Sequence, residues 1–381
     1  MKILALTSIR SDYDLLSSLY KLLDQDKDID FRLLVSGAHL SVENGYTKQY
    51  IEQDGFQILQ EIETLISSDS LKSKLKTASI FLQGSIDVVS NFSPDVILYA
   101  GDREDVIMGG LLGVFLHIPT IHFYGGDHEE AGHEDTIIRH ATSKLSTYHF
   151  VSTAVHKKRL LKIGENTERI YNIGSIALDR FKLFEPFSLD KIANLCSLKH
   201  SDKFSILIYH PSPVALDDDV KVFTNILEVL KSRGGVTFVS FPNTDSNSNQ
   251  IVDVIRKYEQ DTSFYFFKNL DRKLFLSIFK QSKFIIGNSS AGLLEAASIP
   301  IPAINVGARQ KNRKSGENVI FCGTTKVEIN NAIEQALSSK FLSQIKEMTN
   351  MYGDGESSQR ALNLIKSLKL TSLIHKSEDP L

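Results

Sequence analysis

Three aspartates in the first half of the chain, Asp102, Asp127 and Asp135, have the residue type and spacing for chemistry at a shared site. Each lies at or near the end of a predicted strand, and ligands of parallel α/β sheets bind beyond the carboxyl ends of the strands. Arginines and histidines stand among them, namely Arg10, Arg103, Arg139, His39 and His140. Carboxylates mixed with such groups in a cleft suit general acid–base catalysis. Any one of these acids alone could equally be a capping or ion-pairing residue, so the prediction depends on the group.

The second half contains a predicted strand–turn–helix corner, residues 284–295, that could bind a phosphate group. An apolar run ends in small residues, and Ser289 or Ser290 supplies the N-cap of a helix that we expect to continue to about residue 298. Free N–H groups and the helix dipole at such a start favour an anion. Glu295 could accept a hydrogen bond from a ribose hydroxyl, and Arg309 could form an ion pair with a diphosphate. We interpret the corner as a nucleotide-sugar site, with an ordinary structural corner as the alternative.

The elements that must position these residues alternate between strand and helix along almost the whole chain, which is typical of parallel α/β sheets. The predicted strands are Lys2–Thr7, Phe31–Ser36, Val96–Ala100, Thr120–Tyr124, His149–Val151, Ile170–Asn172, Ser205–Tyr209, Val236–Ser240, Phe264–Phe267, Phe284–Gly287 and Ala303–Asn305. The clearest helices are Asp14–Asp24, Ser70–Asn91, Asp105–His117 and Ile137–Ser146. The pattern predicts an α/β fold with two Rossmann-like domains facing each other across a cleft.

The domain boundary is predicted between Leu178 and Asp202, because this stretch contains no clear strand. Residues 1–178 then form an N-terminal domain that carries the acid–base residues, and residues 179–354 form a C-terminal nucleotide-binding domain. The remaining residues, 355–381, contain a helix that we expect to cross back onto the first domain.

Composition excludes several function classes. The 381 residues are 42% hydrophobic and 23% charged, as in ordinary globular proteins, and the net charge of −3 with scattered lysines and arginines gives no footprint for nucleic acid. The two cysteines, Cys196 and Cys322, are far apart and have no evident base partner, which favours a reducing compartment and inert thiols. No stretch is typical of a signal peptide or a membrane span, so we expect a cytoplasmic location.

Two patterns resemble known motifs but differ from them in spacing or position. His128 and His133 suggest a zinc site, but they are five residues apart and Gly132 interrupts any helix, so they would not share a face. The glycines within residues 109–113 lie inside a helical pattern rather than at its start. Close helix packing is therefore favoured over a dinucleotide-binding loop.

Taken together, the motifs resemble those of the hydrolysing UDP-N-acetylglucosamine 2-epimerases of sialic-acid and legionaminic-acid biosynthesis. The resemblance covers nearly the whole chain. The motifs that carry it are Arg10-Ser11-Asp12-Tyr13, Gly37-Ala38-His39-Leu40, Gly101-Asp102-Arg103, Gly125-Gly126-Asp127, Asp135 with Arg139-His140-Ala141, His210-Pro211, Gly287-Asn288-Ser289-Ser290 with Glu295, and Gly307-Ala308-Arg309-Gln310.

The resemblance implies a glycosyltransferase-B type fold, no metal, no cofactor, a nucleotide-sugar substrate and a homodimer or homotetramer. It also implies acid–base roles for Asp102, Asp127 and Asp135, with Arg139 and His140 beside them at the sugar. Substrate or nucleotide contacts are implied at Arg10, Asp12, His39, Arg103, His210, Ser289, Ser290, Glu295 and Arg309.

The activity implied is conversion of UDP-N-acetylglucosamine to free N-acetylmannosamine and UDP, by elimination to a 2-acetamidoglycal and addition of water. Asp127 stands where many members have glutamate, which leaves the sugar open, so a UDP- or GDP-linked 2,4-diacetamido sugar is an alternative. A non-hydrolysing 2-epimerase is another. A glycosyltransferase or a catalytically silent sensor on the same fold is the third. The sequence leaves open the nucleobase and which carboxylate acts as the base.

Overall fold

The computed structural model describes residues 1–66, 71–128, 134–182, 184–198, 204–211, 218–242, 248–311 and 313–377. These residues belong to two compact units. The first unit contains residues 1–128 and 134–182 together with those from residue 352 onward, and the second contains those between 183 and 351. The chain therefore leaves the first unit after Lys182 and returns to it at Tyr352.

The strands are β1 (Lys2–Thr7), β2 (Asp30–Ser36), β3 (Ile58–Ile62), β4 (Val96–Ala100), β5 (Thr120–Phe123), β6 (Tyr148–Val151), β7 (Ile170–Asn172), β8 (Ser205–Ile208), β9 (Thr237–Ser240), β10 (Phe264–Phe267), β11 (Ile285–Gly287), β12 (Ala303–Val306) and β13 (Val319–Cys322). The helices are α1 (Arg10–Gln25), α2 (Lys48–Gln53), α3 (Leu71–Phe92), α4 (Glu104–Leu116), α5 (Glu134–Leu145), α6 (Ala154–Lys162), α7 (Asp179–Lys182), α8 (Leu189–Leu195), α9 (Asp219–Arg233), α10 (Ser248–Tyr258), α11 (Arg272–Gln281), α12 (Ser290–Leu294), α13 (Lys326–Leu337), α14 (Ser339–Ile345) and α15 (Ser357–Ser367).

The first unit is built on a seven-stranded sheet in the order β3-β2-β1-β4-β5-β6-β7, and every pairing in it is parallel. Its central strand β4, with the sequence Val-Ile-Leu-Tyr-Ala, is buried along its whole length. A parallel strand covered by helices on both faces needs such a continuous apolar run. The carboxyl ends of these strands lie at one edge of the sheet, where the loops that follow β1, β4 and β5 converge.

The C-terminal helix α15 packs in the core of the first unit rather than that of the second. Ala361, Leu362 and Ile365 share a hydrophobic cluster with Leu16 and Leu19 of α1. These apolar residues recur three or four positions apart on each helix, so they form one buried stripe on each. The last part of the chain therefore covers the same sheet face as its first helix.

The second unit is a six-stranded parallel sheet in the order β10-β9-β8-β11-β12-β13. Side-chain oxygens cap several of its helices: Asp218 at α9, Asp271 at α11 and Thr325 at α13 each accept a hydrogen bond from the first helical turn. Such caps satisfy backbone N–H groups that have no partner inside the helix. The α/β fold class with two parallel sheets is thus the one that the sequence predicts.

Glycines of α4 confirm the packing interpretation. A Cβ at Gly109 would lie 2.5 Å from Leu6 Cδ1, and one at Gly113 would lie 2.2 Å from Thr120 Cγ2. Only a residue without a side chain lets α4 approach the sheet so closely.

Two strands, β3 and β13, were not predicted from the sequence. Both lie at sheet edges. Gln60 and Glu61 of β3 are exposed, and Phe321 of β13 is 44% exposed. Edge strands bury fewer residues, which weakens the apolar pattern on which sequence prediction depends. Among the described residues, no helix combines the length and the hydropathy that crossing a membrane would require.

Candidate active site

The best-defined group of predicted site residues lies at the ends of β4 and β5 and on α5. Asp102 follows β4 after the turn at Gly101, which has a φ of +90°. Arg139, on α5, donates a hydrogen bond from Nη2 to Asp102 Oδ2, and its Nη1 lies 3.6 Å from Asp127 Oδ2. One guanidinium therefore joins two carboxylates, and the exposed fraction of its side chain is only 9%. Low exposure strengthens the attraction between these charges.

Asp127 is held from two further directions. Its Oδ1 accepts a hydrogen bond from the backbone N–H of His128 at 2.9 Å and lies 3.5 Å from His156 Nε2. Gly126 makes this approach possible, because it has a φ of +77° and a Cβ there would lie 2.4 Å from the carbonyl oxygen of His156. Sequence reasoning missed His156. It lies on α6 and not in a loop that directly follows a strand, although the glycine pair before Asp127 marks a close backbone approach.

His140 follows Arg139 on α5 and stacks on the ring of His128 with a centroid separation of 5.9 Å. Burial lowers the pKa of His140, and the nearby His128 and Arg139 lower it further. Its Nδ1 is buried and has no hydrogen-bond partner among the residues that the structure describes. A neutral imidazole with an unused ring nitrogen can exchange a proton or a hydrogen bond with a ligand.

The other two predicted residues of this region lie at helix starts. Asp135 is in the first turn of α5, four residues before Arg139 and hence on the same helix face. Arg103 is the N-cap residue of α4 and is partly exposed. Because α5 begins at Glu134 rather than at the predicted Ile137, Asp135 stands on the helix and not in the loop before it.

His122 of β5 connects the loop that carries Asp102 to helix α5 by hydrogen bonds from its two ring nitrogens. Its Nε2 lies 2.8 Å from the carbonyl oxygen of Gly101, and its Nδ1 lies 3.1 Å from Ser143 Oγ. A carbonyl oxygen only accepts, so Nε2 carries the proton and Nδ1 is an acceptor; the single hydrogen of the Ser143 hydroxyl is shared between Nδ1 and the carbonyl oxygen of Arg139, 3.0 Å away. Complete burial lowers the pKa of His122 to about 3, so the ring is neutral. Sequence reasoning also missed this residue, because a histidine inside an apolar strand gives no signal of its partners.

The β1–α1 corner contains three predicted binding residues with different exposures. Arg10 begins α1, lies 3.4 Å from Asp14 and stacks 4.3 Å above the ring of Tyr50. Asp12 is buried, and its two carboxylate oxygens accept hydrogen bonds from Thr7, Ser8 and Ile9. His39 is fully buried, with Nε2 3.0 Å from Thr7 Oγ1 and Nδ1 2.8 Å from Thr47 Oγ1. The side chains of Arg10, Asp12 and His39 are 16%, 11% and 0% exposed, so all three are largely enclosed in the corner and Arg10 is the most accessible of them.

In the second unit the predicted corner follows β11. Gly287 has a φ of +132°, and a Cβ there would lie 1.9 Å from the carbonyl oxygen of Ile208, so only glycine fits. Ser289 caps α12 by accepting a hydrogen bond from the N–H of Ala291. The predicted helix to about residue 298 is wrong in extent, because α12 ends at Leu294 and a separate 3-10 turn, Ala296–Ser298, follows. Glu295 is the residue between the two.

Asn288 joins the elements of this corner and was not predicted as a site residue. Its side-chain oxygen accepts from the N–H of His210 at 2.8 Å, and its Nδ2 donates to the carbonyl oxygen of His210 at 2.7 Å. Its own carbonyl oxygen accepts hydrogen bonds from Arg309 at 3.4 Å and from Gln310 at 3.2 Å. One buried asparagine thus fixes two predicted nucleotide residues, His210 and Arg309, against the strand end that carries Ser289.

No group of three or more histidine, cysteine, aspartate or glutamate side chains in the described ranges could hold a metal ion. The segment between His128 and His133, which gave the zinc-like pattern, lies outside the described residues. The expectation of no metal and no cofactor stays a prediction. Both cysteines are free, and burial raises the pKa of each thiol.

The family model described as UDP-N-acetylglucosamine 2-epimerase matches residues 21–366. The chain is also 33% identical to the UDP-N,N'-diacetylbacillosamine 2-epimerase (hydrolyzing) of Legionella pneumophila, over 98% of this chain and 97% of that protein. This chain belongs to the UDP-N-acetylglucosamine 2-epimerase family. A second member, the GDP/UDP-N,N'-diacetylbacillosamine 2-epimerase (hydrolyzing) of Campylobacter jejuni, is 30% identical over 99% of this chain and 98% of that protein.

The fold of this epimerase-family chain is also similar to a solved structure. The crystal structure of UDP-GlcNAc 2-epimerase from Neisseria meningitidis bound to UDP-GlcNAc superposes with a TM-score of 0.82 at 17% identity, covering 97% of this chain and 100% of the other. At the level of reaction class the sequence-based prediction is confirmed: the chain is an enzyme of the UDP-sugar 2-epimerase class.

Proposed function

We propose that this chain is a hydrolysing 2-epimerase of a UDP-linked 2-acetamido sugar. The observation that carries the proposal is the buried Arg139 guanidinium between the Asp102 and Asp127 carboxylates at the edge where parallel sheets bind ligands. Two acids held at fixed positions, with a neutral His140 beside them, supply the proton acceptor and proton donor that epimerisation needs.

The reaction balances in two steps. In the first, the bond between C1 and the UDP oxygen breaks with its electron pair leaving on UDP, while a carboxylate takes the C2 proton, giving a glycal with a C1–C2 double bond. In the second, water adds its hydroxyl to C1, and a proton is delivered to C2 from the opposite face. The products are UDP and the free 2-epimer. Asp102, Asp127 and Asp135 stabilise the developing cation of the ring in this scheme.

The second unit would hold the UDP. Ser289 and Ser290, at the start of α12, offer backbone N–H groups, and Arg309 offers a cation to the diphosphate. His210 and Glu295 would contact the nucleoside, and in the first unit Arg10 and Arg103 would contact the substrate. The support for this assignment is that Asn288 fixes both Arg309 and the His210 backbone at the end of the strand that carries the serines.

For the sugar, we favour a 2,4-diacetamido hexose of the N,N'-diacetylbacillosamine type. Two relatives at or above 30% identity are named for that sugar, and each matches almost end to end. This reverses the order of preference drawn from the sequence. UDP-N-acetylglucosamine is the second candidate, because the matching family model bears its name.

The test is incubation with UDP-N-acetylglucosamine, UDP-N,N'-diacetylbacillosamine and its GDP analogue in D₂O, followed by NMR. Free reducing sugar with deuterium at C2 is the expected product. The substrate that is turned over fastest identifies the preferred sugar and the preferred nucleobase. Accumulation of an epimerised nucleotide-sugar without free sugar would identify a non-hydrolysing epimerase. Sugar transfer to an acceptor, or no turnover with UDP bound, would contradict the proposal. The implied homo-oligomer is a separate proposal, and light scattering of the purified chain tests it.

A further inference from the structure

A buried carboxylate, Glu165 in the segment after α6, lies beside the C-terminal end of α5. Glu165 has a fully buried side chain, and His149 Nε2 lies 2.8 Å from its Oε2. Two lysines complete the group: Lys144 Nζ lies 2.8 Å from Oε1, and Lys376 Nζ lies 2.5 Å from Oε2. Burial opposes ionisation of Glu165, but the hydrogen bond from His149 and the lysine charges outweigh it and hold its pKa at about 2. We call these four residues the Glu165 cluster.

The two lysines of the cluster come from different parts of the chain. Lys144 belongs to the last turn of α5, whereas Lys376 lies beyond α15 in the C-terminal segment. The same Lys376 ammonium also donates a hydrogen bond to the carbonyl oxygen of Ser143 at 3.0 Å. Arg169 anchors the segment independently, by donating to the carbonyl oxygens of Leu373 and His375. The C-terminal segment therefore holds the end of α5 through one ammonium group.

Ser143 passes this restraint to the candidate active site. Its hydroxyl lies 3.0 Å from the carbonyl oxygen of Arg139 and 3.1 Å from His122 Nδ1. His122 in turn donates to the carbonyl oxygen of Gly101, the residue before Asp102. Lys376 thus contacts Ser143. The Ser143 hydroxyl in turn contacts the backbone of Arg139 directly and the loop of Asp102 through His122.

We propose that Lys376 is a positioning residue for the Asp102–Arg139 ion pair, acting through Ser143 and His122. The inference rests on the proposed function for its activity readout, since Asp102 and Arg139 matter only if they act on a bound sugar. Nothing in the arrangement requires Lys376 to touch the substrate. Loss of its two bonds frees the last turn of α5, and a displacement of about 1 Å at a reacting group costs on the order of a hundredfold in rate.

The protonation state of Lys376 gives the proposal a pH signature. Burial lowers the pKa of Lys376 to about 8; Glu165 opposes this shift, and the charges of Lys144 and Arg169 contribute to it. The ammonium is therefore present below about pH 8 and is lost above it, and a neutral amine has no charge to pair with Glu165. We expect kcat to fall as pH rises through this value. An arginine at the same position stays charged across this range.

The experiment compares full-length Lys376→Met, Lys376→Arg and Lys366→Met with the unsubstituted enzyme. Lys366 is the matched control, since it lies on α15 and also forms a 2.5 Å ion pair, with Asp26, away from α5. We expect Lys376→Met to lower kcat by about tenfold or more while the UDP dissociation constant stays within about twofold. Lys366→Met should change neither. Lys376→Arg should recover most of the kcat and move its alkaline decline at least about one pH unit upward.

A purely structural Lys376 would give another result. Its variants would lower the melting temperature but leave kcat and the alkaline decline unchanged, which would overturn the proposal. If Lys376→Met does not fold, the pH profile of Lys376→Arg decides alone. Ser143→Ala, which removes only the hydroxyl, should also lower kcat without changing UDP affinity.

Hydrogen exchange separates this proposal from the proposed function. Amides of α5 should exchange about tenfold faster in Lys376→Met than in Lys366→Met, while those of α4 stay unchanged. This readout needs no substrate. If no nucleotide-sugar is turned over but α5 loosens selectively, the positioning contact stands and the proposed function fails. Equal exchange of α5 in the two variants overturns the positioning contact whatever the activity.

Discussion

The two candidate regions, one in each unit, are built from different kinds of interaction. In the first unit, buried charges face one another: the Arg139 guanidinium contacts two carboxylates, and His156 stands beside one of them. In the second unit, a neutral asparagine side chain and main-chain groups hold the turn. The Asn288 side chain accepts from the N–H of His210 and donates to the carbonyl oxygen of the same residue. Breaking a buried ion pair costs about 3–5 kcal/mol, whereas an unsatisfied buried amide costs about 1–3 kcal/mol.

This difference separates reactivity from binding. Charged side chains change state with pH and can take or give protons, so we expect the first region to control turnover. Amide and main-chain groups keep their hydrogen-bonding pattern at every working pH, so we expect the second to control nucleotide affinity. The predictions that follow would fail if the two regions did not divide the work in this way.

The largest effect is expected from Asp102→Asn. The substitution keeps the size of the side chain but removes the charge that pairs with Arg139, so kcat should fall about 10²- to 10⁴-fold. Titration calorimetry with UDP should give nearly the same dissociation constant. The matched control is Asp54→Asn, because the side chains of Asp54 and Asp102 are both 19% exposed. Asp54 directly follows α2, between β2 and β3, and so lies away from the ends of β4 and β5. Equal loss of UDP affinity in the Asp102 variant would contradict its assigned role.

Asn288→Ala should give the next largest change, in the second unit. It leaves the N–H and the carbonyl oxygen of His210 without their partner, which costs about 1–3 kcal/mol for each unsatisfied group. We expect UDP to bind at least about tenfold more weakly. The control is Asn318→Ala, another buried asparagine of the second unit, whose Nδ2 donates to the carbonyl oxygen of Ile301. Both variants should unfold at lower urea concentration, and only the first should lose UDP affinity.

Arg309→Ala should weaken UDP binding by about tenfold, as expected for loss of one charge-assisted contact. The loop itself should survive, because Gln310 still donates to the carbonyl oxygen of Asn288. Arg256→Ala, at a side chain that is 67% exposed, is the control for loss of an arginine charge in the same unit. An unchanged UDP dissociation constant for Arg309→Ala would remove that residue from the diphosphate site.

The smallest expected effect is the loss of unfolding free energy as the pH falls below neutral. Burial lowers the pKa of His39, His122, His140 and His149, so the folded chain keeps them neutral when the unfolded chain takes up protons near pH 6.5. Their stabilising contribution is complete above pH 6.5 and is lost as pH falls below it. Asp105 acts oppositely, because burial and Asp12 raise its pKa to about 7.

The net expectation is a loss of unfolding free energy of about 1 kcal/mol or more between pH 7.5 and pH 5.5. The loss should concentrate in the first unit, since His210 is the only histidine among the described residues of the second. Urea unfolding followed by pulsed hydrogen exchange reports the two units separately. An equal loss in both units would show that the buried histidines are not its cause.

Local sequence patterns determined much of this protein. The apolar runs of β1 and β4 are matched to the residue by their predicted ranges, because a strand buried on both faces leaves a continuous apolar signal. The glycines of α4 were rightly interpreted as packing residues, and the motifs placed the chain in its family. These features are local: each depends on a few neighbouring residues and on the periodicity of its own element.

The tertiary structure alone decided which residues meet. Arg139 reaches Asp102 across 37 positions of sequence, and Lys376 reaches Ser143 across 233. It also decided that Asp12 and His39 face inward, that His122 and His156 stand behind the acids, and that Asn288 ties two loops together. Contacts between distant positions are fixed by strand order, helix packing and loop closure. No short sequence pattern encodes them, because the free energy of each contact depends on the elements that bring its partners together.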